Sequence, residues 1–188
     1  MRLVRPAGSP TAWSGSRADR QGLAGEDAVI AALSAALDDR YLAIARLRLP
    51  GTEADIDLVV LASTVIVLEV KTYAGPRRYA CEGSLWRYAD DAGSWWPLDA
   101  APGTQATWGA RRLRLRLGGV CLAARVQAAV VWAGEAPLRL DRPDVPVLRL
   151  AALPGWLAEI APAPQARVAR LARLLLAGGG TSLSPEGG

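Results

Sequence analysis

The stretch Ala54-Asp55-Ile56-Asp57-Leu58-Val59-Val60-Leu61, then Ala62-Ser63-Thr64, then Val65-Ile66-Val67-Leu68-Glu69-Val70-Lys71 sets the architecture of this chain. Two apolar runs of strand length joined by a short connection make antiparallel neighbours. The second run is apolar on both faces, Val65 and Val67 on one and Ile66 and Leu68 on the other, as in an interior strand. Residues two apart in a strand share a face, so Glu69 and Lys71 project side by side while Val70 points away. Asp57 approaches Glu69 from the neighbouring strand. Two carboxylates converging at a strand end suit a hard divalent cation such as Mg2+, which prefers oxygen ligands. Such an ion polarises a phosphate and generates hydroxide.

Lys71 is the only lysine among 22 basic residues. Arginine is a planar, permanently charged fork, whereas lysine is a compact point charge whose pKa responds to its surroundings. A composition that uses arginine for every other positive charge has kept lysine beside Glu69. The plainer alternative is a structural Glu-Lys pair on one strand face. Against it stands the interior character of the strand, where charges are seldom placed without a purpose.

Asp57 followed across a hairpin by Glu69-Val70-Lys71 resembles the PD-(D/E)xK nuclease superfamily. From Gly25-Glu26 through Leu68-Glu69-Val70-Lys71-Thr72-Tyr73 to the segment after Pro102, over roughly residues 20–133, the chain resembles the nuclease-related domain. The resemblance implies an α/β fold of restriction-endonuclease type, a mixed central sheet flanked by helices. It also implies Mg2+-dependent (or Mn2+-dependent) phosphodiester cleavage and a DNA partner. Asp57 and Glu69 match the metal ligands, Lys71 the catalytic lysine, Glu26 the acidic residue of the first helix, and Gln105 the polar residue opening the later helix. The family's proline before the aspartate is absent, Ile56 standing in its place.

The chain has 188 residues, 51% of them hydrophobic, enough for one compact domain with a substantial core. Histidine is absent, which excludes a Ser-His-Asp triad, an HNH-type nuclease and a His-ligated zinc within the chain. Its one lysine is not preceded by a glycine-rich loop, so a P-loop ATPase is excluded as well. Cys81 and Cys121 have no CxxC partners and read as small core residues. Apolar runs are interrupted well short of a membrane span, and the first residues lack a signal-peptide core, so the expected location is cytoplasmic. A net charge of +4 leans toward an anionic partner.

The expected organisation is a flexible arm over residues 1–20, a single domain over 21–177 and a disordered tail over 178–188. Val29, Ile30, Leu33 and Leu37 give a helical stripe from Gln21 to Asp39, where Glu26 also has a plainer role at the helix dipole. A strand over Tyr41–Leu49 precedes the central hairpin, and a second hairpin joins Arg77–Cys81 to Leu85–Tyr88 at a sheet edge. Its aromatic residues are edge packing or, if exposed beside Arg77 and Arg78, a platform for bases. The segment between Pro102 and Gly119 alternates Arg and Leu like a strand. Thr104 as N-cap and the stripe Ala106, Ala110, Leu113, Leu117 nevertheless predict a helix. Its Arg111, Arg112, Arg114 and Arg116 are either a solvated face or a phosphate track. Strands over Val126–Ala133 and Val145–Leu150 and helices from Pro154 and Pro164 complete the core.

The leading expectation is a metal-dependent deoxyribonuclease. Its alternatives are a non-cleaving nucleic-acid-binding module and a protein-interaction module with a vestigial site.

Overall fold

The central hairpin forms as its apolar pattern requires. In the computed structural model, which describes residues 1–6, 17–49, 55–118 and 125–177, the first elements are β1 (Arg2–Val4), α1 (Arg17–Ala36), β2 (Leu42–Arg48), β3 (Asp55–Leu61) and β4 (Val65–Lys71). β5 (Tyr79–Glu82), β6 (Leu85–Ala89) and β7 (Trp95–Pro97) precede α2 (Pro102–Gly118). β8 (Val126–Trp132), β9 (Leu138–Asp141), β10 (Val147–Arg149), α3 (Leu153–Ala158) and α4 (Gln165–Leu176) follow. A six-stranded sheet runs β1-β2-β3-β4-β8-β10. It is mixed: β2, β3 and β4 are antiparallel neighbours, whereas β1 on β2, β4 on β8 and β8 on β10 are parallel. This is the expected α/β architecture.

Helices cover both sheet faces because the strands are apolar on both. Val29 and Leu33 of α1 and Leu37 just after it, with Leu153 and Leu157 of α3, lie against Ala43, Leu58, Val60, Ile66 and Leu68. On the other face, Ala110, Leu113 and Leu117 of α2, with Val168, Leu171 and Leu175 of α4, lie against Ile44, Val59, Leu61, Val65 and Val67. Burying each of these Val, Leu and Ile side chains contributes about 1.5–3 kcal/mol. No helix among the described residues is long and apolar enough to cross a membrane.

A second sheet, ordered β7-β6-β5-β9, packs through Tyr79, Cys81 and Trp86 onto Trp132 at the end of β8. Trp86 and Trp132 stack with ring centroids 6.1 Å apart, and Tyr73 stacks on Tyr79 at 4.5 Å. The expected edge hairpin is therefore corrected. β6 is interior, with β7 hydrogen-bonded to its far side, and Trp86 is 2% exposed.

Three further expectations change. Arg2–Val4, placed in a flexible arm by composition, is an edge strand parallel to β2, and the Met1 ammonium donates to the Leu37 carbonyl at 2.6 Å. α1 begins at Arg17, so Glu26 lies in mid-helix rather than at the positive pole. α2 begins at Pro102, not after Thr104; a proline fits the first turn, where its missing N–H would have no partner. The tail over 178–188 and Cys121 lie outside the described residues.

Candidate active site

Strand alternation alone would keep Ile56 and Leu58 on one face. Instead Leu58 packs beneath α1, while Ile56 and Val67 both press on Gly109 of α2, where a Cβ would meet them at 3.4 and 3.2 Å. β2 makes the same change of face between Ala45 and Leu47. The β2-β3 register is unbroken, Ala45 opposite Leu58 and Leu47 opposite Ile56, but the intervening Arg46 and Asp57 do not pair. Arg46 sits at φ 53, a left-handed conformation rare for a side-chain-bearing residue. Both strands thus turn over together at Arg46 and Asp57.

The turnover opens the β3-β4 ladder. Leu58 and Leu68 are its last pair, and Asp57, which would come next opposite Glu69, accepts the Val70 N–H on Oδ2 at 2.7 Å. A side chain replaces the missing ladder bond. Asp57, Glu69 and Lys71 thereby line one cleft of about 420 Å³, with Thr104, Gln105 and Trp108 of α2 on its opposite wall. Lys71 Nζ lies 2.5 Å from Glu69 Oε1, with the two side chains 19% and 12% exposed.

Burial dominates the electrostatics. It pushes the Asp57 carboxyl up to about 7, reinforced by Glu69 and opposed by the Val70 N–H, Lys71 and Arg46. It also raises Glu69, with Lys71 opposing. Burial alone would lower the Lys71 ammonium, yet the Glu69 and Asp57 carboxylates outweigh it and hold Lys71 above its ordinary value. Lys71 is a cation here, not a free base.

Glu26 approaches from α1 but is held by Arg46, whose Nε donates to its Oε2 at 2.7 Å. Burial raises Glu26, the Arg46 bond opposes that shift, and neighbouring Asp57 raises it further. Arg46 carries no local signature in the sequence, because its left-handed backbone and its ion pair to another element arise only in the folded chain. Gln105 lines the cleft, and its buried Oε1 has no hydrogen-bond partner. Among the described residues no three His, Cys, Asp or Glu side chains group closely enough to hold a metal ion. The oxygen donors available are therefore Asp57, Glu69 and the orphaned Gln105 oxygen, a set that fits Mg2+, which binds through one or two carboxylates and retains waters.

The arginines do not behave alike. Arg114 donates to the Val126 carbonyl at 2.7 Å and Arg116 to the Leu174 carbonyl at 3.2 Å, so both are engaged in holding α2 to its surroundings. Arg111 is exposed, without an ion pair among the described residues, and Arg112 lies over the Trp108 ring at 4.5 Å. On the second sheet, Arg77 covers Tyr88 and Arg78 covers Trp95, at 5.1 and 5.8 Å.

No curated protein and no solved structure matches the chain. The family model of the nuclease-related domain matches residues 21–133, a span from α1 through β8 that contains every residue lining the cleft. With most of its length matched by that one model, the chain belongs to the nuclease-related domain family.

Proposed function

We propose that this protein is a divalent-metal-dependent deoxyribonuclease that hydrolyses phosphodiester bonds in the cleft between β3, β4 and α2. The observation that carries this reading is the convergence of Asp57, Glu69 and Lys71 on that cleft, produced by the opened strand ladder. Asp57 and Glu69, with Gln105, would hold Mg2+ or Mn2+, which when bound supplies Lewis-acid polarisation of the phosphate. Lys71, kept cationic by the carboxylates, donates to the attacking water and faces the negative charge that grows on the phosphate. It orients the water rather than removing its proton. The Val70 N–H fixes the Asp57 carboxylate, and Arg46 holds Glu26 beside it, so the acidic groups are positioned before substrate arrives. Glu26 acts from behind Asp57 as a support.

The test is incubation of the purified chain with linear, circular and single-stranded DNA in Mg2+, Mn2+ or EDTA. Cleavage is expected with either metal and none in EDTA, and Asp57→Asn and Lys71→Ala should each abolish it while leaving the protein folded. Metal-independent cleavage, or full activity in Asp57→Asn, would overturn the reading.

A further inference from the structure

Resting on the nuclease reading above, we infer that Trp108 and Arg111 form a subsite for an unpaired nucleotide next to the scissile phosphate, so that the favoured substrate is a single strand or the frayed end of a duplex. Trp108 lies one helical turn beyond Thr104 and Gln105 and is half-buried at the rim of the catalytic cleft. The same side chain walls two further cavities. One, of about 320 Å³, is shared with Trp86, Thr104, Thr107, Arg111 and Val145. The other, of about 530 Å³, is shared with Leu49, Arg111, Arg112 and Leu115. A nucleic-acid strand with one phosphate in the catalytic cleft and its next nucleotide running along α2 would carry that nucleotide past this indole.

The chemistry around Trp108 suits a base and its phosphate. Arg112 stands over the ring at 4.5 Å, which fixes the indole plane and keeps a cation on it that a base can displace. Arg111 borders both cavities and carries no ion pair among the described residues, whereas Arg114 and Arg116 are bound to backbone carbonyls. The smaller cavity sets the Trp86 and Val145 walls against the Thr104 and Thr107 hydroxyls, apolar faces with a few polar groups, the pattern of a pocket that accepts a planar polar ring. Bases inside a duplex stack on one another and offer no free face, whereas an unpaired base presents its face to an aromatic side chain.

The experiment measures binding of the full chain in EDTA, with a fluorescent single-stranded oligonucleotide and the same sequence as a blunt duplex, for wild type, Trp108→Phe, Trp108→Leu and Arg111→Gln. Trp108→Leu should weaken single-strand binding about 10-fold, the scale of one lost base stack, and leave duplex binding within about 2-fold. Trp108→Phe, which keeps a π face, should stay within about 3-fold on both ligands. Arg111→Gln should weaken both ligands and flatten the salt dependence by roughly one unit. Equal losses on single strand and duplex for Trp108→Leu, or no loss at all, would overturn the subsite. Because binding is read without metal, wild type that binds single strands through Trp108 but never cuts them would overturn the nuclease reading and leave the subsite standing.

Discussion

Asp57 Oδ2 accepts the Val70 N–H at 2.7 Å at the point where the β3-β4 ladder ends, so one carboxylate both closes the strand pair and faces the cleft lined by Glu69 and Lys71. The bond ties site geometry to fold stability. It also leaves Asp57 buried beside Glu69, which makes its charged form unfavourable until a cation arrives.

Asp57 gives a pH dependence with a definite sign. Its folded value is raised from 3.8 to about 7, so the native state binds the extra proton. The associated stability is fully present below the unfolded value and is lost as pH rises through the folded one. In EDTA, urea denaturation should show stability falling across that window by up to about 1.4 kcal/mol per pH unit. Asp57→Asn retains an acceptor for Val70 and removes the proton, so it should flatten that slope; an unaltered slope would assign the titration to another group.

Lys71→Arg separates chemistry from charge. A guanidinium preserves the positive charge and pairs readily with Glu69, so the fold and DNA binding should survive. On the proposed mechanism its bulk would displace the water that Lys71 orients, and cleavage should fall by about 100-fold. Equal Mg2+-dependent cleavage by the two folded proteins would reduce Lys71 to an ion-pair partner.

The α2 arginines should divide by what they hold. Replacing Arg111 and Arg112 with Gln should reduce the slope of log affinity against log salt by roughly one unit for each phosphate no longer neutralised. Arg114→Gln should leave that slope intact and lower stability by about 1 kcal/mol, because the bond it breaks is the one to the Val126 carbonyl. A reversed pattern in salt-titrated binding and denaturation curves would contradict this division.

Gly25 and Gly134 set two close approaches just beyond the end of β4. A Cβ on Gly25 would collide with Thr72 Oγ1, so Gly25→Ala should push α1 away from β4 at a cost of about 1–3 kcal/mol. Thr72→Ala removes that oxygen and the adjacent methyl, and the double variant should recover most of the loss. At Gly134 the obstacle to a Cβ is the Tyr73 backbone, and no side-chain change should rescue Gly134→Ala. A double-mutant cycle by thermal or urea denaturation reads both expectations.

Local pattern was enough to give the central hairpin and the residues that reach the cleft from it. A period of two and a three-residue connection are local constraints, so Glu69 and Lys71 share a face and β3 runs back beside β4 wherever the rest of the chain goes. α2 was legible for the same reason, its stripe of Ala106, Ala110, Leu113 and Leu117 outweighing the Arg-Leu alternation beside it. β1, β7 and β9 were not, because three or four residues show almost no period, and β10, equally short, was legible only inside the longer run Val145–Leu150. The turnover at Arg46 and Asp57 belongs to long-range packing alone, since it needs two strands to change face at one register position and two helix layers to receive the result. The same packing pairs Glu26 with Arg46, and sets Arg114 and Arg116 on carbonyls while Arg111 stays open to solvent. Partners such as Leu174, 58 residues from Arg116, come within reach only when α2 and α4 meet, and nothing in the local pattern of charges encodes them.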